Sequence, residues 1–477
     1  MELAQRKALE PEQKALEINL DDSIYGTFAE IGAGQEVARY FFQAGAAAGT
    51  IAKTMSAYDK VYSDQIYGAE PSGRYVCENR LYTMLEHEYD LMESRLQNDR
   101  PDTNFFVFAD TIAALNFTKT IRGDGWLGIR FQLDPNGLPN DLVIHVRMLD
   151  NDNRLQQQAV GILGVNLIYA CFRYNKNPEM MLLSLIDGLQ GRAAIDMIRL
   201  TGPDFKHVDN RLLSLFLVKH NMTDVAMFGP DGQNVHASEF LYKKNVLVLR
   251  GSYRPLTLVN QDMIRAAYEQ FRHEPNMSDP KKICMLAEIT LDNLMLDGNL
   301  DEADFLDRAE LLCAMGQTVI ISNCEQHQRL ITYLSDYRVQ KLGLVLGIKA
   351  LLDLVNEKYY QNADGSLLSA FGELFPRMFQ LYVYPAMQEG SAELMNCRNL
   401  PVPEGIKFLY RHLLDSQQIV DIEGFNSNYL HIFSKEVLHA LQGDEAGWEQ
   451  FVPTKVAALV KAKCLFGFPC QKMEFEY

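Results

Sequence analysis

The sequence predicts a mixed protein of the α/β and α+β classes, with a helical N-terminus, a central α+β region and a C-terminal, mainly parallel Rossmann-like sheet with a helical tail. Three observations support this prediction. Apolar residues recur every three or four positions from Ile51 to Ile66, β-branched and aromatic runs flank a DPNG turn at residues 134–137, and strand-like and helix-like segments alternate from Asn245 onward. Such alternation requires crossover connections, which favour parallel strands.

These patterns divide the 477 residues into four predicted regions. Residues 1–100 form a helical N-terminal region, because residues 35–67 and 79–96 carry apolar residues at helical spacing. Residues 101–244 form an α+β domain that combines an antiparallel sheet with helices at 154–174, 177–189 and 208–220. Residues 245–398 form an α/β domain, and residues 399–477 form a helical tail that begins at the linker-like stretch NLPVPEG.

Composition and charge exclude several classes of protein. Lysine and arginine total 45 against 62 aspartate and glutamate residues, so the formal charge is -17 and we expect no nucleic-acid partner. The first twenty residues lack the apolar core of a secretion signal, and the apolar run at 40–52 is shorter than the ~20 residues of a membrane-spanning helix. Eight dispersed cysteines without a Cys-x-x-Cys pair indicate free thiols. We therefore expect a cytoplasmic protein with no membrane span.

The stretch LRGSYRPLT, residues 249–257, offers the clearest candidate site. Residues 245–250 form a predicted strand, Gly251 ends it, and a helix begins shortly after Pro255. A glycine at the carboxyl end of a parallel strand lets a ligand approach the backbone, and the following helix N-terminus favours an anion. Arg250 and Arg254 add full positive charges. The loop therefore predicts a phosphate site, and the alternative is a strand-to-helix turn that needed a glycine.

GSYRPLT resembles the G-S/T-F-x-P-x-T/H loop of the nucleotidyltransferases that join an adenylyl group to nicotinate mononucleotide or phosphopantetheine. The loop of that family holds the phosphates of ATP in its backbone. The resemblance implies that Gly251, Ser252, Tyr253 and Arg250 bind a small-molecule nucleotide. The positions that match or nearly match the loop are Gly251, Ser252, Tyr253, Pro255 and Thr257.

The same resemblance implies Thr257, Asn260 and Arg254 as catalytic positions. Asn260 stands where the family has a second histidine that stabilises the charge on the transferred phosphate. Asparagine carries no charge, and the loss of one such donor costs about a hundredfold or more in rate. The second signature of the family, I-S-S-T-x-x-R, is represented by IISNCEQHQR, in which Ile321 and Ser322 match and the arginine is displaced to Arg329.

Over its whole length the chain resembles a bacterial family whose members carry the automatic names nicotinate-nucleotide adenylyltransferase or TonB-dependent receptor. The segments that carry this resemblance are AEIGAGQEVARYFFQAG, AKTMSAYDKVYSDQIYG, NRLQQQAVGILGVNLIY and LYKKNVLVLRGSYRP. An outer-membrane receptor needs an exported chain with many alternating strands of ~10 residues, and this sequence predicts neither. The adenylyltransferase name agrees with the GSYRP loop.

An acidic stretch, LDNLMLDGNLDEADF, follows a predicted strand at residues 291–305. Its carboxylates Asp292 and Asp297, with Asp301 and Glu302 behind them, are suited to hold Mg²⁺ beside the triphosphate of ATP. The alternative is a solvent-exposed run that caps the helix predicted to begin at Asp301. ATP and Mg²⁺ are therefore the cofactors that the sequence suggests.

Two glycine-containing stretches near the N-terminus can be interpreted as a binding motif or as an element of packing. FAEIGAGQ, residues 28–35, resembles the first motif of methyltransferases that use S-adenosylmethionine, with Asp59 as the acidic partner. The sequence shows no convincing strand before Glu30, which favours a helix-entry loop. The Gly45-x-x-x-Gly49 spacing favours close helix packing in a core or in a homo-oligomer.

Two hypotheses about function follow. The first is a cytoplasmic nucleotide-binding protein with a nucleotidyltransferase-like loop, whose adenylyl transfer is weakened by Asn260. The second is a non-catalytic scaffold or regulatory protein that self-associates through the face around Gly45. Binding of ATP or nicotinate mononucleotide separates the two.

Overall fold

The computed structural model describes residues 8–469, except 72, 117, 120–122, 276, 278, 297–298, 357–366, 377 and 389–392. The chain is a mixed α/β protein that divides into two compact units, Met1–Ala226 and Met227–Tyr477. The finer division into four regions stays a prediction. Six described cysteines are free thiols, whereas Cys464 is disulfide-bonded and departs from the expectation of free thiols throughout.

The elements of the first unit alternate between helices and strands from the start. They are α1 (Pro11–Asn19), β1 (Ile24–Gly32), α2 (Val37–Ala44), β2 (Ile51–Ala57), α3 (Lys60–Tyr67), α4 (Glu78–Leu96), β3 (Asn104–Ala113), β4 (Asp124–Phe131), β5 (Asn140–Met148), α5 (Asn153–Arg173), α6 (Pro178–Leu185), β6 (Ala193–Thr201) and α7 (Asn210–Lys219). The strands form one sheet in the order β2-β1-β3-β4-β5-β6. The pairs of β1 with β2 and β3 are parallel, and the pairs from β3 to β6 are antiparallel.

The sheet of the first unit is covered on both faces. One face packs against α4 through residues such as Leu81, Leu85 and Val107. The other packs against α1, α2 and α5 through an aromatic cluster that includes Phe28 and Phe106. Helix α5 has the length and apolar composition of a membrane span, yet 72% of its most apolar window is buried inside the protein. It is a core helix of this unit.

The prediction of an all-helical N-terminal region is wrong. Residues 24–32 and 51–57 are strands, and the predicted helix over 35–67 is three separate elements. The spacing of Ile51 and Met55 fits a helix by coincidence, because both also fall on one side of β2, where half-buried and exposed residues alternate. The glycine-spacing prediction fails as well. Gly45 ends α2 with φ +88° and Gly49 lies in a short 3₁₀ turn, so the two glycines share no helix face.

The second unit contains these elements, the first of which begins just before it: β7 (Val225–Phe228), α8 (Ala237–Phe240), β8 (Asn245–Arg250), α9 (Leu258–Arg272), β9 (Ile283–Thr290), β10 (Met295–Leu296), β11 (Asn299–Leu300), α10 (Glu302–Ala314), β12 (Thr318–Ser322), α11 (His327–Ser335), β13 (Lys341–Gly347), α12 (Ile348–Leu354), α13 (Leu367–Leu374), β14 (Phe379–Tyr384), β15 (Ala386–Met387), β16 (Leu394–Met395), α14 (Lys407–Asp415), β17 (Ile419–Asp421), α15 (Ser434–Gln442) and α16 (Thr454–Lys463).

The main sheet of this unit has the order β17-β14-β13-β8-β9-β12-β7. The five pairs from β17 to β12 are parallel. Strands β9 and β12 are added in turn on one side of β8. The next strands along the chain, β13, β14 and β17, are added in turn on its other side. The predicted helical tail therefore needs correction, because β17 lies within it and belongs to the sheet.

Candidate functional site

The order of strands in the second unit reverses between β8 and β13. In open parallel sheets the loops on either side of such a reversal leave a crevice outside the carboxyl ends of the strands, and ligands bind there. A cavity of about 210 Å³ lies at this edge. It is lined by the loop after β12, the start of α11, and α12, and the lining residues are Glu325, Gln326, His327, Gln328, Ala350, Asp353 and Leu354.

The 251–257 loop, predicted to hold phosphate, follows β8 at the same edge and is mostly packed inside. Tyr253 is 1% exposed and its hydroxyl donates to the carbonyl of Leu249 at 2.6 Å, while burial raises its pKa. The amide of Gly251 donates to the carbonyl of Glu288 at 3.1 Å. Ser252 is exposed, whereas Leu256 and Thr257 are buried. The structure thus gives the loop an internal packing role beside the crevice.

Arg250, predicted as a charge partner of phosphate, is held by protein groups. Its Nε and one terminal nitrogen each donate to the carboxylate of Glu288 at 2.8 Å. The guanidinium also donates to the carbonyls of Cys324 and Glu325. The hydroxyl of Ser322 donates to the Glu288 carboxylate at 2.6 Å. Arg250 therefore fixes the loop after β12, which forms one wall of the cavity.

Arg254 is likewise paired. Its Nε donates to Asp304 Oδ1 at 2.5 Å, and Arg308 forms an ion pair with the other oxygen of the same carboxylate. Arg308 also donates to the carbonyl of Ser252 at 2.9 Å. The two arginines and the aspartate tie the 251–257 loop to α10. This arrangement stabilises the loop, and the guanidinium of Arg254 interacts with a carboxylate of the protein instead of a ligand.

Thr257 and Asn260, predicted as catalytic positions, form the cap of α9. The Asn260 Oδ1 accepts hydrogen bonds from the amide of Thr257 at 3.1 Å and from its hydroxyl at 3.0 Å. The Thr257 side chain in turn accepts from the backbone of Asn260, which completes a capping box. Thr257 is fully buried. Both side chains therefore stabilise the N-terminus of α9.

The predicted metal ligands do not form a described cluster. Asp292 is exposed in a short 3₁₀ turn after β9, and Asp297 lies outside the described residues. Asp301 is the N-cap of α10, and its side chain accepts from the amide of Asp304 at 2.9 Å. The capping interpretation of this acidic stretch is the one that the geometry supports for Asp301.

His327 is a cavity residue that the sequence did not single out. Burial, followed by the charge of Arg250, lowers the pKa of His327 to about 3. Its Nδ1 is buried and has no hydrogen-bond partner among the described residues. The imidazole is therefore neutral at physiological pH and presents an uncharged ring beside the carboxylates of Glu325 and Asp353.

We expect this histidine to make the second unit sensitive to acid. The pKa of His327 in the folded chain lies below the ordinary value of 6.5. At a pH between these two values, His327 is therefore protonated in the unfolded chain and neutral in the folded chain. Its contribution to stability is complete above about pH 6.5 and is lost as the pH falls toward about 3. Urea unfolding at several pH values should show a weaker loss of stability on acidification in His327→Gln. An identical acid response in wild type and variant would contradict the prediction.

Sequence reasoning missed Glu288, which together with Ser322 completes the network under the cavity. Glu288 is a charged residue inside the otherwise apolar strand ICMLAEIT, and it is fully buried. An isolated carboxylate in such a run is a usable signal, because buried charges need partners. The partner, Arg250, stands at the equivalent place in the neighbouring strand.

The first unit also departs from the sequence interpretation at FAEIGAGQ. Strand β1 begins at Ile24, before Glu30, and continues through this stretch to Gly32, and β2 lies between the stretch and Asp59. The expectation that no strand precedes Glu30 is therefore wrong, although the end of the stretch does lead into a helix, α2. Asp59 is the N-cap of α3 and accepts from the amide of Tyr62 at 2.8 Å.

These observations define the second unit as an α/β domain with a cavity at the carboxyl edge of its parallel sheet. No protein-family model matches the chain, and no curated protein matches it. Among solved structures, the competence/damage inducible protein CihA from Agrobacterium tumefaciens is 16% identical, with a TM-score of 0.25, and the match covers 34% of this chain and 98% of that chain. A competence-damaged protein (CinA) superfamily protein from Escherichia coli is 15% identical, with a TM-score of 0.24, over 39% of this chain and 99% of that chain.

A third solved structure, provisionally named a nicotinate-nucleotide adenylyltransferase, comes from Vibrio parahaemolyticus. It is 13% identical, with a TM-score of 0.19, and the match covers 47% of this chain and 97% of that chain. These are distant similarities of part of the chain. At such scores they carry no argument about the activity of this protein.

Proposed function

We propose that residues 227–477 bind a nucleotide in the cavity at the carboxyl edge of the parallel sheet. The observation that supports this most strongly is that the cavity lies at the carboxyl edge of the sheet, between the loop after β12 and helix α12, which follows β13. In chain order, strands β8, β9, β12, β13, β14 and β17 take the spatial order 3-2-1-4-5-6. This order is that of doubly wound, Rossmann-like sheets, which bind dinucleotides across the crevice at the reversal.

The lining of the cavity suits the nucleoside part of such a ligand. Gln326 and Gln328 offer amide donors and acceptors to a base or ribose, and Ala350 and Leu354 offer apolar contact to a ring face. A volume of about 210 Å³ is below the ~300–1,000 Å³ of pockets for whole drug-sized ligands. We therefore place the base and ribose inside the cavity and the phosphates at its opening.

The charges at the cavity point to a metal-complexed nucleotide. Glu325 and Asp353 both line it, and their carboxylates repel free phosphate groups. Mg²⁺ binds through one or two protein carboxylates together with substrate phosphates, which makes the Mg²⁺ complex of ATP the ligand to test. In this proposal Glu325 and Asp353 take the role that the sequence suggested for Asp292 and Asp297.

We propose binding without efficient adenylyl transfer. Thr257 and Asn260 bond to each other in the cap of α9, and Arg254 is held by the carboxylate of Asp304, which also pairs with Arg308. A transition state that carries extra charge on the phosphate would find no free cation among these three residues. Pyrophosphate release from ATP and nicotinate mononucleotide should therefore stay at the level of a reaction without protein.

The site is tested by filling the cavity. Gln328→Trp places a large ring in the cavity, so we expect the Kd for ATP with Mg²⁺ to rise at least about tenfold, which is ~1.4 kcal/mol. Thr332→Trp is the matched control, because Thr332 is exposed one turn further along α11 and does not line the cavity. Its Kd should stay within about twofold of the wild-type value. Isothermal titration calorimetry measures both.

Two results would contradict the proposal. If wild type binds neither ATP with Mg²⁺ nor nicotinate mononucleotide, the nucleotide hypothesis is wrong and the scaffold hypothesis is favoured. If wild type and Gln328→Trp bind equally well, the ligand occupies a different site. Circular dichroism confirms that each variant is folded before its affinity is compared.

A further inference from the structure

Two buried carboxyl groups lie side by side in the first unit. Glu30 on β1 and Asp110 on β3 are direct neighbours in the parallel register, at the carboxyl ends of both strands. Glu30 is 3% exposed and Asp110 is fully buried. Carboxylates are rarely buried unless a cation or a proton compensates their charge. The pair therefore needs an explanation that packing alone does not supply.

The hydrogen bonds of the pair leave one oxygen without a partner. Glu30 Oε1 accepts from the amide of Val37, the first residue of α2, at 2.8 Å. Asp110 Oδ1 accepts from the amide of Ile31 at 3.2 Å. Asp110 Oδ2 is buried and has no hydrogen-bond partner among the described residues. An orphaned, buried carboxyl oxygen is costly as an anion and much less so when it carries a proton.

The turn between β1 and α2 closes directly over Asp110. A Cβ on Gly34 would come within 2.1 Å of Asp110 Oδ1 and 2.3 Å of Oδ2, so the backbone of the turn rests on the carboxyl group. The amide of Ala33 donates to the carbonyl of Ile112 and fastens the turn to β3. Such close contact leaves no room for a metal ion between the turn and Asp110.

The surroundings supply no compensating cation among the described residues that face the pair. Across the sheet, the neighbour of Glu30 on β2 is Ser56, and the neighbour of Asp110 on β4 is Leu127. Helix α5 approaches the start of α2 through Gly161 and Gly164. The charged group that acts on Glu30 is Glu36, which has the same sign. A proton is the remaining way to lower the charge of the pair.

We propose that Glu30 and Asp110 hold protons as a pair, that this closes the 32–36 turn over the end of β1, and that loss of the protons to solvent bases loosens the turn. The protonated pair has little charge and lets the turn lie against Asp110. After ionisation the two carboxylates repel each other, and Asp110 attracts water toward the position of Gly34. The first unit therefore contains a pH-sensitive contact at its β1–α2 junction.

The titration agrees in direction with this geometry. Burial raises the pKa of Glu30 to about 7, and burial together with the charge of Glu30 raises the pKa of Asp110 well above its usual value. Folded pKa values above the unfolded ones mean that the folded chain holds more protons. The contribution of Glu30 to stability is therefore present below its ordinary pKa of 4.5 and is lost as the pH rises through about 7, and that of Asp110 is lost at still higher pH.

Hydrogen exchange of residues 31–38 tests the proposal. We expect the protection factor of this segment, corrected for the intrinsic exchange rate, to fall at least about tenfold between pH ~6 and pH ~9 in the wild-type chain. Asp110→Asn keeps the shape of the side chain and removes its titration, so the fall should largely disappear. Glu30→Gln is the second variant and should show the same loss of pH dependence if Asp110→Asn does not fold.

The matched control is Asp99→Asn, which makes the same chemical change at an exposed position of the first unit. It should keep the wild-type pH dependence. A protonated-carboxyl infrared band in the wild type that loses its Asp110 component in Asp110→Asn supports the proposal. Protection that is independent of pH in the wild type, or that falls equally in wild type and the folded pair variant, overturns it.

Discussion

Replacement of Glu288 by glutamine should lower the free energy of unfolding of residues 227–477 by about 3–5 kcal/mol. Glu288 is fully buried and receives two hydrogen bonds of 2.8 Å from Arg250, whose side chain is 12% exposed. Glutamine keeps the size of the side chain but leaves the mostly buried guanidinium without its counter-charge. The hydroxyl of Ser322, which donates to the same carboxylate, must also adapt.

Urea unfolding measures this loss, and the chain provides a local probe for it. Its two tryptophans are Trp126 in the first unit and Trp448 in the second, both buried, so a Trp126→Phe background leaves fluorescence that reports the second unit. Glu269→Gln is the matched control, because it breaks an ion pair with Arg272 that is exposed on both sides. Its effect should stay below about 1 kcal/mol. A Glu288→Gln effect no larger than that of the control would contradict the prediction.

Replacement of Lys14 by methionine should lower the free energy of unfolding of residues 1–226 by a similar amount, about 3–5 kcal/mol. The Lys14 ammonium group is 1% exposed and lies 2.7 Å from both Asp187 Oδ2 and Asn166 Oδ1. It anchors α1 to Asn166 of α5 and to the segment after α6. Methionine fills a similar volume but leaves the buried carboxylate of Asp187 without its cation.

A double variant distinguishes charge from packing. In Lys14→Met with Asp187→Leu both charges are gone, so most of the lost stability should return. Fluorescence of Trp126 in a Trp448→Phe background reports the first unit. Arg39→Met, which removes an exposed partner of Glu36, is the surface control and should cost less than about 1 kcal/mol. If the double variant is as unstable as Lys14→Met, the loss comes from packing and the charge argument is wrong.

Much of the secondary structure follows from local pattern. Helix α4 and the antiparallel strands β3, β4 and β5 lie where periodicity and the DPNG turn predicted them, because their signals are confined to neighbouring residues. Asn136 in that turn has φ +62°, a conformation that asparagine tolerates. Strand β1 escaped prediction because it is buried on both faces, and β2 escaped it because Ile51 and Met55 on its half-buried side also fit a helical spacing.

The sequence predicted the edge of the sheet at which the cavity lies, but it predicted neither the residues that line the cavity nor the partners of the predicted charges. A glycine after β8 correctly indicated the carboxyl edge of a parallel sheet. The partners of Arg250 and Arg254, however, are Glu288 and Asp304, which are 38 and 50 residues away in the sequence. No local pattern reveals that a charge is already paired with a residue so distant.

The sequence by itself determined the mixed α/β class, the alternation of strands and helices after residue 245, and the glycine-containing loop at residues 251–257. These depend on side-chain periodicity and on backbone preferences that act over a few residues. The tertiary structure alone decided that this loop is packed inside, that the cavity lies beside His327, and that Glu30 and Asp110 are neighbours. Burial and the pairing of charges arise only when strands distant in sequence meet, because both depend on what surrounds a residue in space.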